Sequence, residues 1–302
     1  MKQDLLSFAS WETSQVTALI ELALEIKNTP EKYQSVLAGK SIVGVFEKPS
    51  LRTRVSFDIG INKLGGHFVY LDSKANHLEG REAVADTAAN LGCWADAIVG
   101  RVFKHSTLEG FTAACDIPVI NALCDLYHPC QGLADFLTMT ETFGDVSQTK
   151  LAYIGDGNNV THSLLIVGAH LGAEVVVITP ESFEVDQSIF EQAQLIAKGT
   201  GAKLSYSNHL NDAKGSNVLY TDTWLSMGDD TPLSTIKQTF MPYQINQQLL
   251  ELTGASHVMH CQPAHRDLEI TSNVMDSKHS LLLQQAENRM HAQNAILATL
   301  LG

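Results

Sequence analysis

Several short polar clusters in this chain carry residue types suited to chemistry. Ser50-Leu51-Arg52-Thr53-Arg54 gathers two hydroxyls and two guanidiniums just after the apolar run Ile42-Val43-Gly44-Val45-Phe46. A strand, a short polar turn and a helix start make an anion-binding geometry, because first-turn amides and the positive end of the helix dipole face outward. A phosphate seat and a surface capping turn with solvated arginines both fit this stretch taken alone. Arg101 follows Ile98-Val99-Gly100, and His128-Pro129-Cys130-Gln131 opens a helix, with Pro129 suited to the first turn. Gly155-Asp156-Gly157-Asn158-Asn159 stands between a strand and a helix, but Val160 occupies the third glycine position of a dinucleotide fingerprint, so no nicotinamide cofactor is expected. The asparagines suit a small polar ligand or a helix cap. Asp222-Thr223-Trp224-Leu225-Ser226-Met227-Gly228 offers an ammonium group a carboxylate and hydroxyls, or is a plain loop. In His260-Cys261-Gln262-Pro263 the thiol fits a nucleophile, a metal ligand or an apolar filler. Neighbours on a strand point to opposite faces, which argues against a His260–Cys261 dyad, and no second cluster completes a tetrahedral metal site.

Positioning these clusters requires a regular frame. Val16, Leu19, Ile20, Ala23 and Ile26 recur at helical spacing behind Ser10 as N-cap. Strands are predicted over 42–46, 68–71, 97–99 and 118–120, with helices starting near Thr53 and over 82–91, 108–114 and 133–143. The polar stretch 72–77, which contains His77, reads as a mobile loop. The pattern restarts with strands over 151–154, 175–178, 204–206, 218–220 and 257–260, helices over 160–171 and 187–198, and a last helix over 284–300. Strands alternating with helices predict α/β architecture: two doubly wound parallel-sheet domains joined by interdomain helices. In such sheets ligands sit beyond the strands' carboxyl ends, where the clusters fall.

At 302 residues the chain is long enough for two domains, and 44% hydrophobic with 18% charged residues is a globular balance. A net charge of −13 disfavours nucleic acid and anionic membranes but leaves room for a local arginine pocket. Five widely spaced cysteines without a Cys-x-x-Cys pair, and no apolar leader, predict a reduced, cytoplasmic protein. No apolar run approaches the roughly 20 residues that cross a bilayer.

Across essentially the whole chain, and in order, these pieces resemble the aspartate and ornithine carbamoyltransferase family. Ser50 through Arg54 is similar to the family's Ser-Thr-Arg-Thr-Arg, and Arg101 and His128 through Gln131 to its next anion-site elements. Asp222 through Gly228 resembles Asp-x-x-x-Ser-Met-Gly, and His260 through Pro263 resembles His-Cys-Leu-Pro, the marks of the ornithine branch. The resemblance implies carbamoyl transfer from carbamoyl phosphate to the δ-amine of L-ornithine, giving citrulline and phosphate, with no cofactor and no metal. It implies a carbamoyl-phosphate-binding domain over 1–140, with helix 284–302 packing back on it, and an ornithine-binding domain over 141–283.

Ser50, Arg52, Thr53 and the backbone at Leu51 would grip the phosphate, with Arg101 shared between phosphate and carbonyl oxygen. His128 and Thr53 would polarise that oxygen, Gln131 would bind the carbamoyl amide, and Arg289 matches a family arginine at the same anion. Asn159, Asp222, Ser226 and Met227 would orient the amino acid. Cys261 would lie near the δ-nitrogen, and the backbone of Gln262 near the carbamoyl NH2. His77 would reach into a neighbouring subunit's site, in a homotrimer or a multiple of it. Leu51 stands where the family usually has threonine, so weaker carbamoyl phosphate binding is expected, by about 1 kcal/mol for one neutral hydrogen bond. The rival acceptors are aspartate, putrescine and an acylated ornithine; Asp222 and Cys261 favour a cationic amino acid.

Overall fold

The computed structural model describes residues 2–72, 82–224 and 232–302. The chain divides into two compact units, Met1–Leu137 with Arg289–Gly302, and Thr138–Asn288. The first unit runs α1 (Thr13–Asn28), β1 (Ser41–Phe46), α2 (Leu51–Lys63), β2 (His67–Asp72), α3 (Val84–Gly92), β3 (Ala97–Arg101), α4 (His105–Ala114), β4 (Val119–Leu123) and the start of α5 (Pro129–Phe143). The second holds β5 (Lys150–Ile154), α6 (Asn159–His170), β6 (Glu174–Ile178), α7 (Gln187–Thr200), β7 (Lys203–Ser207), β8 (Val218–Thr221), α8 (Leu233–Phe240), α9 (Gln247–Thr253), β9 (His257–His260) and α10 (Ser272–Met275). The last helix, α11 (Leu282–Leu301), contributes its end to the first unit. Both divisions of the chain therefore fall inside helices.

Among the described residues the first sheet has the order β2-β1-β3-β4 and the second β7-β6-β5-β8-β9, and all their pairings are parallel. This is the doubly wound α/β class that the alternation of elements predicts. The inner strands are buried on both faces: β3 and β8 throughout, β5 at all but its first residue. That is why they read as short continuous apolar runs instead of alternating ones. Strand order reverses between β1 and β3 in the first unit and between β5 and β8 in the second, which opens a crevice at the carboxyl ends of each sheet.

Local departures from the sequence reading have local causes. The first helix is capped by Glu12, not Ser10, because the Gln15 side chain accepts from the Glu12 amide at 2.9 Å. Helix α2 starts at Leu51, two residues before Thr53, since Ser50 is its N-cap. Helices α8, α9 and α10 lie where none was predicted. Apart from Asp72, which ends β2, the stretch 72–77 lies outside the described residues.

Candidate active site

In the first unit, Ser50 is held extended, with φ −157° and ψ 110°, and its Oγ accepts from the Thr53 amide at 3.2 Å. This cap satisfies one first-turn donor, while the amides of Leu51 and Arg52 have no carbonyl one turn back to bond. Thr53 is 1% exposed, and its hydroxyl oxygen is the meeting point of the cluster. Arg289 donates to it from Nη2 at 2.7 Å and Arg101 from Nη1 at 3.4 Å, while Ser50 Oγ lies 3.0 Å away. Arg101 ends β3 beside a register shift, where the pairing steps from Gly100↔Asn121 to Arg101↔Leu123. A bulge of this kind re-aims the following side chain.

His128 precedes α5 and is buried with the two arginines. Burial, then Arg289 and Arg101, hold its pKa well below the usual 6.5, so the ring is neutral at physiological pH. One turn on, Gln131 gives Nε2 to Asp135 at 2.7 Å, and its buried Oε1 accepts nothing among the described residues. Lys48 lies beside the same cluster, its pKa lowered by burial and then by Arg101, with its ammonium 5.0 Å from the Phe103 ring centre. The other motif residues separate. Arg52 is half-buried, Arg54 stacks 4.0 Å over Tyr70, and the Leu51 side chain is 77% exposed, away from Thr53.

The second unit's cluster is built on the ends of β5, β8 and β9. Asn158 caps α6, accepting from the Val160 amide at 2.9 Å, and its Nδ2 donates to Asp222 Oδ2 at 3.2 Å. The other oxygen of Asp222 accepts from the Cys261 thiol at 2.8 Å and from the Thr223 amide at 2.7 Å. Cys261 is thus a hydrogen-bonded thiol, not an apolar filler. His260 points elsewhere: Nε2 faces Glu269 Oε1 at 3.1 Å, and Nδ1 accepts from the Gln262 amide at 2.8 Å. Those partners assign the neutral tautomer with its proton on Nε2, so this imidazole does not take the thiol's proton. Gln262 stands at φ 57°, its peptide bond to Pro263 cis, and its amide is held by that ring nitrogen.

Polar ligand atoms of Asp222, His260 and Cys261 lie within 4.8 Å of one another, a trio that sequence spacing hides. Both His260 nitrogens face protein partners, so the arrangement reads as a hydrogen-bond network. Gly157 serves packing: a Cβ there would come 2.6 Å from the carbonyl oxygen of Phe183. Its amide donates to that same oxygen at 2.9 Å, so this N–H is already taken by the protein's own backbone.

Asn159 opens α6 half-buried. His77, Ser226 and Met227 lie outside the described residues. Asn158, read from the sequence as a ligand-binding or capping asparagine, is the cap of α6. Sequence reasoning passed over Lys48, Glu269 and Tyr153, whose surroundings are remote in sequence.

Comparison with known proteins agrees in both units. Residues 3–141 match the family model described as aspartate/ornithine carbamoyltransferase, carbamoyl-P binding domain, and residues 147–300 match the Asp/Orn binding domain of the same family. The chain is 57% identical over 299 residues to the ornithine carbamoyltransferase of Moritella abyssi, covering 99% of each. It is equally similar, at 57% and 99% of each, to that of Vibrio sp. (strain 2693). The solved ornithine carbamoyltransferase from Pyrococcus furiosus superposes with a TM-score of 0.95 at 40% identity, over 99% of this chain and 97% of that one. With a doubly arginine-bonded threonine behind one sheet, a carboxylate–thiol pair behind the other, and both family models matched, this chain belongs to the aspartate/ornithine carbamoyltransferase family.

Proposed function

We propose that the chain transfers the carbamoyl group of carbamoyl phosphate to the δ-amine of L-ornithine, giving L-citrulline and phosphate by direct attack. The observation that carries this reading is the convergence of Arg101 and Arg289 on the Thr53 hydroxyl, at 3.4 and 2.7 Å. Two buried guanidiniums on one neutral oxygen make a strongly positive site behind a helix N-terminus, suited to a phosphate dianion. Ser50, Arg52, Thr53 and the amides from Leu51 onward grip the phosphate. Arg101, Thr53 and neutral His128 stabilise the oxyanion, since an uncharged imidazole still donates a hydrogen bond. Gln131 Oε1 accepts from the carbamoyl NH2, which the Gln262 backbone also contacts. The carbamoyl-phosphate-binding domain is then 1–140 with the helix 284–302, and the ornithine-binding domain 141–283.

On the acceptor side Asn159, Asp222, Ser226 and Met227 orient the amino acid. Its δ-ammonium must lose a proton whose reference pKa is about 10.4, and a thiol near 8.5 is a poor base for that in water. Cys261, already bonded to Asp222, acts as an orienting and polarising partner and forms no covalent intermediate.

The same reading places the chain in arginine-forming metabolism in the cytoplasm; no helix among the described residues is long and apolar enough to cross a membrane. It also makes the enzyme a homotrimer or a multiple of it, with His77 entering a neighbour's site. Leu51, Val55 and Ile59, one turn apart on α2 and 77, 42 and 47% exposed, give such an assembly an apolar stripe to bury. Citrulline-type product formation from carbamoyl phosphate and a panel of ornithine, acetylornithine, putrescine and aspartate tests the assignment. Turnover is expected with ornithine; preference for another acceptor, or no turnover with any, sinks it.

A further inference from the structure

Tyr153 is fully buried on β5, and strand register explains where its hydroxyl lies. Tyr153 pairs with Tyr220 on β8, and Tyr220 with Met259 on β9. Side chains alternate along a strand, so these three share one face, and the next residues on that face are Gly155, Asp222 and Cys261. The tyrosine therefore belongs to the row that ends in the carboxylate–thiol pair. Its ring lies 5.7 Å from that of Tyr220, and a Cβ at Gly155 would stand 3.5 Å from its hydroxyl and 3.4 Å from Thr221 Oγ1.

The phenol oxygen lies within electrostatic reach of Asp222, Asp156 and Cys261, and the Asn158 side chain is its nearest polar partner. That partner is too loosely placed to complete a hydrogen bond of ordinary geometry, so among the described residues the hydroxyl has no acceptor. A buried hydroxyl in that state is unfavourable and calls for a cause. Burial, then Asp222, Asp156 and Cys261, raise its pKa well above the usual 10, so it keeps its proton and remains a donor. Asp222 supplies the acceptor: of a carboxylate's roughly four lone-pair sites, Cys261, Thr223 and Asn158 occupy three.

We infer that Tyr153 is a positioning residue of the acceptor cluster: its O–H is the donor Asp222 accepts when the Cys261 thiol turns from that carboxylate to the δ-nitrogen of the substrate. This rests on the ornithine reading above. With Asn158, Thr223 and Tyr153 all on Asp222, the thiol leaves without stranding the carboxylate.

Tyr153→Phe removes only the oxygen. Loss of one hydrogen bond predicts a kcat about fivefold lower with an unchanged KM for carbamoyl phosphate. It also predicts that alkylation of Cys261 by iodoacetamide, followed by peptide mass spectrometry with exposed Cys93 as internal standard, moves to higher pH, because a thiolate beside Asp222 has lost a nearby donor. 3-Fluorotyrosine at position 153 keeps the ring and strengthens the donor, so it moves the profile to lower pH, and it carries the test if the phenylalanine variant does not fold. An unmoved alkylation profile overturns the inference, whether or not kcat falls, because the hydroxyl is then packing alone. The alkylation is read without substrates and so decides the inference even if the wild-type chain forms no citrulline, a result that sinks the proposed function instead.

Discussion

Thr53 occupies a position where a single methyl-for-hydroxyl exchange separates shape from chemistry. Its oxygen accepts from two guanidiniums, and hydrogen bonds from charged donors are worth about 1.5–3 kcal/mol each. Thr53→Val keeps the volume and removes that acceptor; kcat/KM for carbamoyl phosphate is expected to fall about 10- to 100-fold, with Thr53→Ser restoring most of it. Equal values for valine and threonine enzymes in steady-state kinetics refute the role. His128 offers a second test, through pH. Its folded pKa lies well below the unfolded 6.5, so as pH falls below 6.5 the unfolded chain takes up a proton that the folded chain refuses. The contribution of this residue to stability is therefore complete above that pH and lost as pH falls. Denaturant midpoints of wild type and His128→Gln are expected to diverge between pH 7.5 and 5.5, with wild type falling more steeply. Parallel pH dependences exclude the neutral buried imidazole.

At the scale of elements, the end of β9 is braced from behind. Glu269, fully buried, accepts from His260 and from the His265 amide, and His260 in turn holds the Gln262 amide beside Cys261. The brace keeps a non-glycine residue, Gln262, at positive φ next to Cys261. Glu269→Gln fits the same space with a weaker acceptor, so turnover should fall about tenfold with KM for carbamoyl phosphate unchanged, consistent with one charged hydrogen bond. Wild-type turnover in that variant removes the brace from the mechanism. Nothing local announces it, because Glu269 and Gln285 meet His260 only through the fold. The Ser50 cap, the strand runs and the positions of Arg101, His128, Asp222 and Cys261 were legible because each is written in neighbouring residues: a cap type before an apolar period, or a polar residue just past an apolar run. Helix α9 was legible in principle, with Asn246 as N-cap and Gly254 at positive φ closing it, but seven residues are too few to show a period. Leu51 illustrates the reverse. Its type suggested a lost hydroxyl in the phosphate turn, whereas its exposure, in line with Val55 and Ile59, puts the side chain on the outer stripe of α2.

For the whole molecule, a chain of net charge −13 brings two of its arginines, Arg101 and Arg289, onto one buried hydroxyl and leaves an apolar stripe on α2. Screening over about 8–10 Å at ordinary salt confines the acidic field, so the local cations decide whether an anion binds. If copies of the chain assemble through that stripe and lend His77 to one another, each site needs Arg101 from its own chain and His77 from a neighbour. Arg101→Ala and His77→Ala should each be nearly inactive alone. Co-refolded in equal amounts, they should regain about one quarter of wild-type citrulline formation, because in a closed ring a site is intact when its own chain carries the His77 substitution and its neighbour carries the Arg101 substitution. Adding Ile59→Asp to both chains puts a charge on the stripe, and should abolish both the recovery and the higher mass seen by light scattering. Activity of the mixture no greater than the sum of its parents, with the oligomer intact, means each chain completes its site alone.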